Sequence, residues 1–313
     1  MSISVLVPSY NHAPFVERTL RSIFAQTQAP EKLIVIDDGS KDESAQIIER
    51  TLRDCPFPNE FIKQTNRGLS ATLNDGFARL NNQYFAYLGS DDVWLPTFLE
   101  KRIKTLEQRK DAVLAFGNAY LIDENDCVID NTKDWRVYSE EQVLTNLLRG
   151  HPPVTTSVVF RRDALGDLRW NENSILEDYE LYLRLTTKGA FAFDEEVLAA
   201  WRQHGYNTSG DFSKMMNEWL AAQNRAAAEL NINETNLKNI QTKLKFICAA
   251  NLIRRGEKAK AFELMSENWR GADSPLAFGK TLLRFLMPAS AYNFYHAKRR
   301  KSFTERYGKI QLV

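Results

Sequence analysis

Three times in its first ninety residues the chain runs through a short, mostly apolar stretch and then stops at a polar turn. Ile3 to Val7 stops at Pro8-Ser9-Tyr10-Asn11, Lys32 to Ile36 at Asp37-Asp38-Gly39-Ser40, and Tyr84 to Leu88 at Gly89-Ser90-Asp91-Asp92. Runs of this length without polar alternation belong to strands covered on both faces. Helical spacing separates them. Phe15, Leu20, Ile23 and Phe24 are closed by Ala29-Pro30, an acidic capped helix starts at Asp42, and another covers Gly68 to Leu80, with a further strand over Glu60 to Lys63. This alternation predicts an α/β fold with a mostly parallel central sheet flanked by helices. In such a sheet the polar turns share one edge, where ligands bind.

Farther on, residues 98 to 109 read as a basic amphipathic helix, and Val113 to Asn118 and Val154 to Phe160 as strands. A helical pattern with an acidic start runs through Ile175 to Leu185, Gly189 ends it, and Phe191 to Trp201 gives the last strand or two before Arg202-Gln203-His204 and a loop to Ser209. Beyond Gly210 strand signals vanish, and 212 to 230 and 235 to 269 are helical, the latter including a hairpin about Gly256. The expected organisation is an α/β unit over 1–210 and a helical region over 211–313.

Charge and cysteine content narrow the function classes. Lys plus Arg number 41 against 40 Asp plus Glu, so no global field points to nucleic acid. Three cysteines, at 55, 127 and 248, form neither a disulfide framework nor a zinc spacing, which favours a reducing compartment. The N-terminal run lacks a basic leader and no apolar stretch reaches a membrane span, so a cytoplasmic location is expected.

Three acidic pairs carry the chemistry: Asp37-Asp38, Asp91-Asp92 and Glu177-Asp178. Taken singly, Asp91-Asp92 is either a helix cap or a cation site. A parallel sheet would gather the first two pairs in one cleft, and carboxylates so gathered hold an anionic ligand only through a bridging divalent cation. With neither a G-x-G-x-x-G nor a Walker loop, backbone amides are not the main phosphate cradle. The residues therefore indicate a metal-dependent phosphate-ester site.

Five segments, in order across roughly residues 3 to 209, resemble the family-2 inverting glycosyltransferases of the bacterial surface-polysaccharide type: Val5-Leu6-Val7-Pro8-Ser9-Tyr10-Asn11, Ile36 to Ser40, Asn66 to Ala71, Gly89 to Trp94, and Glu177 to Leu181. The resemblance implies the GT-A nucleotide-diphospho-sugar transferase fold, with 1–210 as catalytic domain and 211–313 as an α-helical extension. It implies a nucleotide-diphosphate sugar as donor and Mn or Mg as the divalent metal. Pro8 and Tyr10 would line the base pocket, Asp38 would bond the base edge with Asp37 beside it, and Asp91 would contact the ribose. Asp92 would ligate the metal. Asp178 would be the general base, flanked by Glu177, and Arg202 and His204 would close over the diphosphate or the metal. Two departures stand out. Leu73 precedes Asn74 where many members have Arg, so a diphosphate contact is either missing or supplied by Arg67, and Gly89 stands where many carry Asp.

The acceptor would be a saccharide or a lipid-linked one, in O-antigen, capsule or lipopolysaccharide synthesis. Rival readings are transfer to a polyprenyl phosphate, a non-catalytic nucleotide-sugar binding protein, and a phospho-acceptor signalling domain. From Lys280 onward eight basic residues face one acid, Glu305, interleaved with aromatic and apolar residues. Residues 280–313 thus suit either an anionic membrane surface, peripheral on the inner membrane, or a helix packed on the catalytic domain.

Overall fold

The computed structural model describes residues 2–135, 138, 142–205 and 211–311. The chain opens with β1 (Ile3–Ser9), α1 (Val16–Phe24), β2 (Lys32–Asp37), α2 (Ser44–Thr51), β3 (Asn59–Lys63), α3 (Leu69–Phe77) and β4 (Tyr84–Tyr87). Alternate side chains of these strands part into two cores. Leu6, Ile34, Ile36, Phe85 and Tyr87 enter one, while Val5, Val7, Leu33, Val35 and Ala86 enter the other. Because successive residues point to opposite faces and both faces are covered, the interior positions of β1, β2 and β4 are apolar apart from Ser4, whose hydroxyl donates to Asn82.

The middle of the chain adds β5 (Val93–Trp94), α4 (Phe98–Gln108), β6 (Ala112–Ile122), β7 (Val128–Asn131), α5 (Val143–Leu148), β8 (Val159–Arg161), α6 (Arg162–Leu165), α7 (Glu177–Leu185) and β9 (Ala190–Arg202). Among the described residues one nine-stranded sheet runs β3-β2-β1-β4-β8-β6-β9-β5, with β7 on β6. The β3-β2-β1-β4 half is parallel. Beyond it β8 lies antiparallel to β4 and β6, β6 and β9 are parallel, and β5 is antiparallel to β9. The chain moves outward from β1 to β2 and β3, then returns to β4 on the other side of β1, so a crevice opens at the C-terminal end of β1.

The expected strand over Val154 to Phe160 is realised only from Val159. Thr155–Ser157 instead form a 3-10 turn. There the Thr156 carbonyl accepts from Trp94 Nε1 at 2.7 Å and the Thr155 hydroxyl donates to Asp178, so tertiary partners override β-branched propensity.

Past the expected boundary near residue 210, which with Tyr206 to Ser209 lies outside the described residues, come α8 (Phe212–Ala226), α9 (Glu234–Arg254), α10 (Lys258–Glu267), α11 (Pro275–Leu286) and α12 (Ala289–Tyr307). Gly256 turns α9 into α10 at φ 81, a conformation that side chains disfavour. Trp219, Ala222, Leu244 and Cys248 share one core with Phe160, Tyr179 and Tyr182, so these helices seal a face of the sheet. All three cysteines are free, and no helix among the described residues is long and apolar enough to cross a membrane.

Candidate active site

A cleft of about 910 Å³ opens over the C-terminal ends of β1 and β4, bounded by Tyr10 and Asp38 at one end and Asp178 and Trp219 at the other. Its first wall is the pair of loops after β1 and β2. Asn11, at φ 54, joins them: its N–H donates to Ser40 Oγ at 2.9 Å and its Oδ1 accepts from Lys41 N at 2.7 Å. Pro8 and half-exposed Tyr10 line the cleft beside them. Asp37 closes the turn by accepting from Ser40 N at 3.0 Å. Asp38 is buried, and its carboxylate accepts from Gln64 Nε2 and from the N–H groups of Arg67 and Gly68, each at 2.8 Å. It therefore fixes the approach to α3 while still lining the cleft.

At the centre stands the turn after β4. Arg202 holds it from behind, donating from its backbone N to Asp92 Oδ1 (2.8 Å), from Nε to the Asp91 carbonyl (2.7 Å), from Nη1 to the Asp123 carbonyl (2.8 Å) and from Nη2 to Asp126 Oδ1 (2.6 Å). In front, His204 Nε2 lies 2.9 Å from Asp91 Oδ2 and His12 Nδ1 lies 3.9 Å from Asp91 Oδ1. Single donor atoms of His12, Asp91 and His204 all fall within 4.8 Å of one another, a set able to hold a metal ion. Gly89 makes room for it, since a Cβ there would come 2.8 Å from Asp91 Oδ1.

The two acids of this turn are driven apart electrostatically. Burial works to raise Asp91, but the His204 hydrogen bond and the two imidazoles hold it below the usual carboxylate range. Asp92 goes well above that range, through burial first and the neighbouring Asp91 charge second. Burial also lowers the His12 imidazole, against the pull of Asp91.

Across the cleft, Glu177 and Asp178 begin α7. Burial and the Asp178 charge push Glu177 up to about 8. Asp178 is likewise raised by burial, partly offset by the Thr155 hydroxyl that donates to its Oδ2. The Tyr87 and Tyr182 rings stand buried beside this pair, and desolvation followed by the acids' charges raises both phenols well above their ordinary value.

Of the anticipated residues, Pro8, Tyr10, Asp38, Asp91, Asp92, Glu177, Asp178 and His204 line one cleft. Asp37, Arg67 and Arg202 do not. The Arg67 guanidinium pairs with Asp75 at 2.5 Å on the surface, and its neighbours Asn66 and Gly68 reach the cleft instead. Arg202 is 1% exposed because its guanidinium is spent on the protein's own carbonyls and Asp126, so it supports the acidic turn from beneath. Leu73 is a core residue on the buried face of α3. Asp92, expected as the metal ligand, is not in the converging donor set, for its Oδ1 is turned to the Arg202 amide. Sequence reasoning passed over His12 and Thr155. His12 follows the Ser9-Tyr10-Asn11 turn directly, so its place at the ligand-binding edge was available, whereas Thr155 was hidden inside an apparent strand. The Pro152-Pro153 connector also lines the cleft.

The description Glycosyl transferase family 2 matches residues 4–169, more than half the chain. The chain belongs to this family. An uncharacterized glycosyltransferase of Nostoc sp. is 30% identical over 217 residues, 66% of this chain and 66% of its own length. The chondroitin synthase of Escherichia coli is 28% identical over 210 residues, 66% of this chain but 30% of that protein. In fold, the chain resembles S. aureus TarS 1–349 in complex with UDP-GlcNAc (TM-score 0.59, 14% identity, 99% of this chain and 93% of that one). It also resembles the mannosyltransferase PcManGT from Pyrobaculum calidifontis in complex with GDP-Man and Mn2+ (TM-score 0.61, 15% identity, 98% and 88%). The family-2 protein thus has the GT-A fold, extended by C-terminal helices.

Proposed function

We propose that this glycosyltransferase is metal-dependent and inverting, and moves a sugar from a nucleoside-diphosphate donor to a hydroxyl of a saccharide or lipid-linked acceptor in bacterial polysaccharide synthesis. The observation that carries the reading is that one cleft is lined both by a charged Asp91 beside imidazoles and by a proton-affine Glu177-Asp178 pair. The solved neighbours with UDP-GlcNAc and with GDP-Man and Mn2+ support the donor class, and the E. coli chondroitin synthase supports a polysaccharide role.

In this mechanism Tyr10 stacks on the nucleobase and Asp38 accepts from its edge, while the Asp91-Asp92 turn and His204 stand at the ribose and diphosphate. A divalent ion held there would supply positive charge to the departing diphosphate. Asp178, oriented by Thr155, takes the proton of the acceptor hydroxyl. The acceptor oxygen bonds to the anomeric carbon as the bond from that carbon to the diphosphate breaks, in one displacement with inversion. Asp178→Asn should cut transfer in a product assay by about 10²–10⁴-fold while leaving UDP-sugar or GDP-sugar binding by calorimetry intact. Transfer at the wild-type rate would end the base assignment.

A lipid-linked acceptor, polyprenyl phosphate included, is favoured by one further observation. Leu276, Leu283, Leu286 and Phe294 on α11 and α12 are 66–72% exposed, interspersed with exposed Lys280, Arg284, Lys298 and Lys301. Apolar and basic residues together suit an anionic bilayer surface at the inner face of the membrane. The neighbouring cations are committed elsewhere: Arg299 pairs with Asp130 at 2.7 Å and Arg300 with Asp123 at 3.2 Å. Truncation would remove these anchors too, so the clean test is the triple variant Leu283→Asp, Leu286→Asp, Phe294→Asp. It should lose cosedimentation with anionic liposomes, and unchanged sedimentation would overturn the membrane reading.

A further inference from the structure

We infer that His12 is a ligand to the divalent ion, so that the site is a centre of two imidazoles and one carboxylate which prefers Mn to Mg. The inference rests on the metal-dependent reading above and adds a residue and a selectivity to it.

The first argument is convergence. His12 and His204 reach Asp91 from loops 192 positions apart in the chain, one directly after β1 and the other directly after β9. They address different oxygens of the same carboxylate, Oδ1 for His12 and Oδ2 for His204. Their rings lie 5.6 Å apart, edge to face. A hydrogen-bonded carboxylate needs only one such partner for orientation, whereas two nitrogens and an oxygen meeting around one point leave a cation-sized vertex between them.

The second argument is pre-organisation. The His12 N–H donates to Ser44 Oγ at 2.9 Å, and its carbonyl accepts from the N–H groups of Phe15 and Val16, each at 2.9 Å. Phe15 stacks on the His204 ring at 5.0 Å and meets the His12 ring edge-on at 6.3 Å, so one side chain fixes both imidazoles. Locked rings that present nitrogen toward a common centre are what a metal site requires of its support. His12 Nδ1 also lies 2.8 Å from Ser90 Oγ, but a hydroxyl is a rotor and yields that nitrogen when a cation arrives.

Ligand chemistry then sets the selectivity. Magnesium demands oxygen donors in a strict octahedron and gives up water reluctantly, while imidazole is a ligand for first-row transition metals, among which manganese binds most weakly but takes nitrogen more readily than magnesium does. Two histidines therefore bias the site toward Mn before any nucleotide is bound.

The experiment titrates the full chain with MnCl2 and separately with MgCl2, with and without UDP or GDP, following Mn by electron paramagnetic resonance and both ions by calorimetry. Wild type, His12→Ala and Asp91→Ala are compared, with metal-free melting as the check on folding. His12→Ala should weaken Mn binding by roughly tenfold or more, the scale seen for loss of metal-site support, and change Mg binding much less. Wild-type Mn affinity in His12→Ala, with binding lost in Asp91→Ala, would overturn the role of His12 and leave the metal reading standing. If wild type binds neither ion with either nucleotide, the metal reading itself falls and this inference with it. Should His12→Ala not fold, pulsed resonance on Mn-loaded wild type decides: coupling to two imidazole nitrogens supports the proposal, and coupling to one or none overturns it.

Discussion

The Asp91-Asp92 turn and the Glu177-Asp178 helix start are the same object in sequence, two adjacent acids at the end of an element, yet the fold gives them opposite characters. The first pair is met by His204 at 2.9 Å and by the Arg202 amide at 2.8 Å, and Asp91 stays ionised below its ordinary range. The second is met by the Thr155 hydroxyl and a wall of tyrosine, and both its acids rise. Burial is common to the two sites, so it does not distinguish them. The two imidazoles do: they make Asp91 a place for positive charge, whereas Asp92, like Glu177 and Asp178, is raised.

Exchanging charge for amide on each side is the strongest way to break this contrast. Asp178→Asn should lower kcat by about 10²–10⁴-fold, the usual worth of a general base, with donor affinity unchanged. Asp91→Asn should instead weaken metal-dependent nucleotide binding, measured by calorimetry, about tenfold or more, each tenfold being about 1.4 kcal/mol. Matching phenotypes in the two variants would refute the division of labour.

A smaller effect tests the proton side alone. Because a raised base stays protonated to a higher pH, transfer should fall on the acid side of a limb lying above the ordinary carboxylate range. The Thr155 hydroxyl works to lower Asp178, so Thr155→Val should move that limb to still higher pH while kcat on the alkaline plateau changes little. A limb that stays put would show that Thr155 does not tune the base.

The smallest effect is on stability. Glu177 titrates at about 8 in the folded chain against 4.5 ordinarily, so its contribution is fully present below 4.5 and is lost as pH rises through 8. Glu177→Gln removes that loss. Its melting temperature should exceed the wild-type value near pH 9 by a few degrees and converge with it near pH 4, as differential scanning calorimetry would show; a constant offset would contradict the raised value.

The parallel half of the fold was legible because β1, β2 and β4 bury both faces, which leaves mostly apolar runs, and because their ends carry Asp37-Asp38 and Asp91-Asp92. The mixed half was not. Val154 to Ser157 have strand-forming residues, but Trp94 and Asp178 claim their polar groups, and neither claim shows in local pattern. The site was legible to the extent that motifs end strands. Long-range partnerships escaped it: His12 with His204 across the chain, Arg67 drawn off by Asp75, and the Arg202 guanidinium turned inward by the Asp91 and Asp123 carbonyls and Asp126. The basic tail divided in the same way, since Arg299 and Arg300 pair with acids near β7 while Lys301 meets Glu305 of its own helix at 3.8 Å.

The inward turn of Arg202 gives the acidic turn a mechanical connection to the far end of the chain. Asp126 shares its carboxylate between Arg202 at 2.6 Å and Arg18 at 3.2 Å, and Arg18 also donates to the Ile310 carbonyl at 2.6 Å. The Ile310 amide closes the circuit on the Asp126 carbonyl at 3.0 Å. The segment that follows the last helix is thus joined, through two arginines and one aspartate, to the backbone of Asp91, so the end of the chain and the acidic turn share one frame of hydrogen bonds and ion pairs.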